Sequence, residues 1–181
     1  MQHSFLRKTI PWVFLMIVAA ALLAGCATVS TEKANQYLDE GDNSASAGGN
    51  GSGTCTVKIE CVTVTENMDL LAEAKRDILP ADGIILKTTE VSFDEGDTVL
   101  DILLSVTKEN KIQMEYEDSP AYGGGYVEGI ANLYEFDCGD LSGWEYFVND
   151  WNPNYGCSNY LVAAGDVIEW RYTCDNGKDL K

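Results

Sequence analysis

Apolar and polar positions alternate with period two in several stretches of this 181-residue chain, the spacing of a half-buried strand. In Cys55–Thr65, Val57, Ile59 and Cys61 alternate with Lys58 and Glu60, predicting a first strand. Ile84–Phe93 is extended and holds a second around Thr88–Phe93. Ile112–Tyr116, Tyr126–Ile130 and Leu133–Phe136 read as further strands, with Gly129 a candidate bulge. Trp144, Tyr146 and Val148 alternate with Glu145 and Phe147. In Val167–Thr173, Ile168, Trp170 and Tyr172 share one face and Glu169 and Arg171 the other.

Two stretches change to helical spacing. Glu66–Leu79 carries Leu70, Leu71, Ala74 and Ile78 as an apolar stripe and is stopped by Pro80. The main helix starts at Thr98, an N-cap residue with Asp101 three positions on, close to a capping box. Val99, Ile102, Leu103 and Val106 give it one apolar face, and it ends near Asn110. Asn149-Asp150 and Gly165-Asp166 read as tight turns. Trp151 begins a short return strand that Pro153 cuts off, making an aromatic hairpin. The Ser119–Gly125 and Asn152–Asn159 stretches are loops rich in Gly and Tyr. Strands returning around one capped helix predict an α+β domain.

The N-terminus has a different pattern. Arg7 and Lys8 precede the apolar run Ile10–Leu23, too short to span a bilayer comfortably. Leu23-Ala24-Gly25-Cys26 closes it and looks like a bacterial lipobox, in which Cys26 carries the lipid. The competing readings are an ordinary signal peptide and an uncleaved anchor. The expected organisation is a signal peptide at 1–25, a lipidated Cys and flexible Gly/Ser/Asn-rich tether at 26–53, one domain at 54–175 and a tail at 176–181. This predicts a lipid-anchored protein on the extracytoplasmic face of the cell membrane.

Composition narrows the chemistry. Without Arg7 and Lys8, 10 basic residues face 29 acids, a formal charge of −19, which disfavours nucleic acid and anionic lipid as partners. The only histidine, His3, lies in the targeting segment, so the domain has no Ser-His-Asp or Cys-His catalysis and no imidazole metal ligand. Asp150, Asn152 and Asn154 open like an EF-hand loop, but Tyr155 stands where Gly is needed and Leu161 where Glu is needed. Asp137 with Asp140 and Glu128 with Glu135 are carboxylate pairs that nothing distinguishes from chance. Gly123-Gly124-Gly125 lacks the Lys and Ser or Thr of a phosphate loop. The expectation is a non-enzyme with no cofactor and no metal. Five cysteines follow Cys26, and an exported domain favours disulfides. Cys55 and Cys61 lie on one strand, about 20 Å apart, too far to bridge.

Gly143-Trp144, Val148-Asn149, the run Pro153-Asn154-Tyr155-Gly156-Cys157-Ser158-Asn159-Tyr160 and Gly165-Asp166-Val167-Ile168-Glu169-Trp170 resemble the transcobalamin-like C-terminal domain of bacterial surface lipoproteins. Upstream, EGDTVLDIL, YVEGIANL and FDCG also fit. The resemblance implies a β-grasp-like mixed sheet packed on the main helix, with the aromatic hairpin added. It implies Cys61–Cys174 and Cys138–Cys157 bridges, the first because first and last strands neighbour each other in such a sheet, with Cys55 left over. In transcobalamin and intrinsic factor the corresponding domain closes over cobalamin, so cobalamin or another corrinoid is the implied ligand. Tyr122, Trp144, Tyr155, Gly156 and Ser158 are the implied site, within an aromatic set that adds Tyr126, Trp151 and Tyr160; Trp144 and Tyr160 read equally as core. The alternative function is an adhesion or assembly module whose partner is a protein or wall polymer.

Overall fold

The computed structural model describes residues 51–120 and 123–180. The expected targeting segment, Cys26, the tether up to residue 50 and Tyr122 lie outside them. The described elements are β1 (Gly53–Glu60), α1 (Val62–Glu66), α2 (Glu73–Arg76), β2 (Ile84–Phe93), α3 (Val99–Glu109), β3 (Met114–Ser119), β4 (Gly124–Ile130), β5 (Leu133–Tyr134), β6 (Gly143–Val148), a 3-10 turn at Cys157–Asn159, and β7 (Val167–Thr173). Four strands make one sheet in the order β2-β1-β7-β6, and three make another in the order β3-β4-β5. The α+β expectation holds.

First and last strands meet in the middle. β1 runs parallel to β7 from Thr56↔Val167 to Glu60↔Arg171, and β2 and β6 flank them antiparallel. The alternation in the sequence is the reason for the packing. Val57, Ile59, Ile168, Trp170, Tyr172, Trp144, Tyr146 and Val148 all face one core. On the other face, Lys58 stands opposite Glu169 and Glu60 opposite Arg171. Arg171 bonds Glu169, reaches Glu60 at 3.7 Å and lies over the Phe147 ring at 4.7 Å. Oppositely charged partners directly across strands support this register.

α3 covers the core with Val99, Leu100, Ile102, Leu103 and Val106. Its capping box is complete: Asp101 N–H donates to Thr98 Oγ1, and Thr98 N–H donates to Asp101 Oδ2 at 2.9 Å. Its first turn is tied to the aromatic loop, because Val99 N–H donates to the Tyr160 carbonyl at 3.0 Å. The expected bulge sits beside Gly129: β3 and β4 shift register between Glu115↔Gly129 and Tyr116↔Val127.

Three local expectations are corrected. The helix over 66–79 shrinks to the four residues of α2. Leu70 and Ile78 are 57% and 48% exposed, and only Leu71 of the stripe is buried. Side chains compete for the backbone there: Asn67 Nδ2 donates to the Thr63 carbonyl and Arg76 Nε to the Leu71 carbonyl. The first strand stops at Glu60, not Thr65, and Val62–Glu66 turns helical despite its β-branched residues. Cys61 N–H donates to the Gly83 carbonyl at 2.7 Å, and a Cβ on Gly83 would meet Val62 Cα at 2.7 Å. Gly83 also has φ +70, so this crossing needs glycine twice over. Finally, Trp151 forms only an isolated bridge to Val148, so the hairpin has one full strand.

The five described cysteines are free thiols, and neither Cys61–Cys174 nor Cys138–Cys157 is bridged. Cys157 sits on the 3-10 turn and donates to the Gly125 carbonyl at 3.2 Å. Cys138 belongs to the β5–β6 loop, where its N–H donates to Ser142 Oγ and its thiol meets Cys174 instead.

Candidate functional site

The site is built on the segment from β6 to β7. Asn149 and Asp150 take φ 53 and 64, the left-handed pair of a tight turn. Asn149 anchors that turn by donating from Nδ2 to Asp166 Oδ1 and accepting from Val167 N–H. The chain then passes Trp151 and winds across the end of the sheet to Tyr160. Asn152 Nδ2 donates to the Tyr146 carbonyl, and Tyr146 Oη donates to the Tyr155 carbonyl at 2.9 Å. These two bonds hold the loop over β6.

A second clamp comes from β4. Gly125 N–H donates to Ser158 Oγ at 2.7 Å, and Asn159 Nδ2 donates to the Gly123 carbonyl. A Cβ on Gly156 would lie 2.8–2.9 Å from the Gly123 carbonyl oxygen and the Gly124 backbone. Two backbones therefore cross at Gly156, whose φ of −61 is ordinary.

Between these strands and the loop lies an open cleft of about 260 Å³. Its walls include Tyr126, Trp144, Tyr146, Pro153, Tyr155 and Trp170. On its rim, Trp151, Tyr155 and Tyr160 form an aromatic group, with ring centroids 6.1–6.5 Å apart and the Tyr155 and Tyr160 rings stacked at 17°. Trp151 is 45% and Tyr155 37% exposed, with exposed Leu161 next in the chain. The phenols are kept protonated. Burial, with the Asp166 carboxylate and Tyr155 adding to it, pushes Tyr160 up to about 12; burial alone raises Tyr155, and burial with Tyr155, Cys157 and Tyr160 raises Tyr146.

Of the residues expected at the site, Trp144, Tyr155 and Gly156 line the cleft. Trp144 is only 8% exposed, packs edge-on against Tyr172 and donates Nε1–H to the Leu133 carbonyl, so it is a wall that also belongs to the core. Ser158 holds β4 rather than the cleft. Gly156 also packs its bare backbone against the chain's own Gly123-Gly124. Sequence reasoning missed Tyr146, Trp170 and Pro153 as cleft walls. Their alternation marked the first two as core, which they also are, and only the fold of the loop opens a space beside them. Trp170 Nε1 is buried without a hydrogen-bond partner, the one cleft-lining indole left unsatisfied among the described residues.

Of the carboxylates paired in the sequence, Glu135 accepts from Tyr126 Oη and Asp137 accepts from Lys75 Nζ at 2.5 Å. Among the described residues, no group of three or more Cys, His, Asp or Glu is placed to hold a metal ion.

Residues 96–174 match a family model described as a domain of unknown function, DUF4430. No curated protein matches the chain. Haptocorrin, solved in complex with Cbi, is similar in structure, with a TM-score of 0.50 and 16% identity. That match covers 71% of this chain and 26% of haptocorrin, so the chain spans about a quarter of that protein's length. A candidate metal-binding protein of Ruminococcus gnavus ATCC 29149 matches at 15% identity over 67% of this chain and 96% of its own, with a TM-score of 0.38. The chain thus shares its fold with the part of haptocorrin that it covers.

Proposed function

We propose that this protein is a non-enzymatic, lipid-anchored module on the extracytoplasmic face of the membrane, and that it binds the face of a flat ligand on its aromatic rim. A corrinoid is the ligand class we favour. The observation that carries the reading is the group of exposed Trp151 and Tyr155 with half-buried Tyr160 beside an open cleft. Partly exposed rings held by backbone bonds are preorganised for stacking and lose little freedom on binding. The cleft is smaller than the ~300–1,000 Å³ of a pocket that swallows its ligand whole. It therefore takes an edge substituent, while the ligand's face lies on the rim. With one ligand face left open, affinity is modest unless a partner covers it. The haptocorrin likeness, and the Cbi bound to that protein, favour corrinoids among flat ligands.

The test is equilibrium dialysis of the protein against cobinamide and cobalamin, repeated with Trp151→Ala and Tyr155→Ala. We expect wild-type binding and a loss of about tenfold or more in each variant, an aromatic contact of ~1.4 kcal/mol. Tyr155→Ala retains the carbonyl that Tyr146 bonds, so its melting point stays within a few degrees. Absence of corrinoid binding by the wild type removes the ligand proposed here. Binding unchanged in both variants removes the rim.

A further inference from the structure

We propose that Cys138 and Cys174 are joined by a disulfide in the working protein, formed by exchange with the disulfide of a thiol–disulfide oxidoreductase. The backbone brings them together independently of the thiols. β6 and β7 are in register at Gly143↔Thr173, so Ser142 comes opposite Cys174 at the open end of the pair. Ser142 Oγ accepts from Cys138 N–H at 3.0 Å and lies 2.9 Å from Tyr172 Oη, and Asn176 N–H donates to the Leu141 carbonyl at 2.8 Å. The β5–β6 loop is thus pinned to the end of β7, and the two thiols lie near enough to shift each other's acidity.

The other cysteines are placed less well. Cys61 follows the last β1–β7 pair, Glu60↔Arg171, at the start of α1, and is coupled to the two thiols only through space. Cys157 is held by the Gly125 carbonyl, and Cys55 pairs with Val91 on β2. Burial raises Cys61 and Cys157 to about 12 and Cys55 to about 11, so none is a ready nucleophile.

Cys174 is the attacking sulfur. It is partly exposed, whereas Cys138 is buried, and the neighbouring Cys138 thiol lowers its pKa. The Cys174 thiolate attacks one sulfur of the oxidant's disulfide, forming a mixed disulfide and releasing the oxidant's other sulfur as a thiolate. Cys138 then gives up its proton and attacks Cys174 Sγ, releasing the second oxidant sulfur. Two protein thiols lose two electrons and two protons, and the oxidant ends as a dithiol. The bond closes the segment that carries the rim and all of the cleft walls except Gly125, Tyr126 and Val127.

The experiment exposes the full chain to oxidised glutathione, alkylates free thiols after unfolding, and maps peptides without reduction. The expected result is a Cys138–Cys174 peptide, with Cys55, Cys61 and Cys157 alkylated. Cys138→Ser should trap one glutathione on Cys174, whereas Cys174→Ser should leave Cys138 free. The oxidised wild type should melt roughly 10 °C above the reduced protein. A Cys61–Cys174 or Cys138–Cys157 peptide, or full alkylation of Cys55, Cys61, Cys138, Cys157 and Cys174, overturns the proposal.

Discussion

At the residue scale, one side chain shows how neighbours set a charge. Glu145 points from β6 away from the core, with its carboxylate beside Gly177. Arg171 stands directly across on β7 but is engaged by Glu169 and Glu60. Burial first, and the Asp179 carboxylate second, raise the Glu145 carboxyl above its usual range. A carboxyl raised on folding stabilises least where it must ionise. Its contribution is most favourable below the ordinary carboxylate range and is lost as pH rises through the raised value. Glu145→Gln should therefore raise the melting point at pH 7 and leave it unchanged near pH 3, where both forms are neutral. A lower melting point at pH 7 would mean that the charged form is held by a partner.

At the element scale, the Gly156 crossing couples two loops. Any side chain at 156 meets backbone, which cannot rotate away as a flexible side chain would. Gly156→Ala should cost about 1–3 kcal/mol in urea unfolding, far more than the usual cost of a loop change. A cost within ~0.5 kcal/mol would show that the Gly123–Gly125 strand entry gives way. Elements specified by local bonding were legible in the chain: the Thr98–Asp101 box, the Asn149-Asp150 turn, and the alternations of β1, β6 and β7. What failed depended on distant partners. Leu70, Leu71, Ala74 and Ile78 have helical spacing, yet Arg76 and Asn67 draw the carbonyls into turns. Gly156 reads as an open backbone until Gly123-Gly124 arrives from far upstream in the chain. The cysteine partners depend on which loop meets which strand end, and spacing carries no information about that. The aromatic rim was legible as composition; its grouping by Trp151, Tyr155 and Tyr160 was not.

At the scale of the whole molecule, the sheet decides what can stand alone. The family match begins at residue 96, yet β1 is the neighbour that β7 needs on its inner edge. A fragment of residues 96–174 should lack a cooperative thermal transition, because it exposes the buried edge of β7 and the apolar face of α3. A fragment that melts cooperatively at the midpoint of the full chain would show that β1 and β2 are accessory. The anchor belongs to this scale too: Cys26→Ala should move the protein from the membrane to the soluble fraction, and unchanged fractionation would remove the lipid from the proposal. Thr63 Oγ1 reaches the Tyr172 carbonyl across 109 residues of sequence, so the central pair of strands is also the most distant in the chain. Such a pair closes late, after its loop entropy has been met. A nascent chain carries β1 paired on one edge only, with β2, and its other edge stays open until β7 has been made. The four-stranded sheet is therefore completed only when its last strand leaves the ribosome.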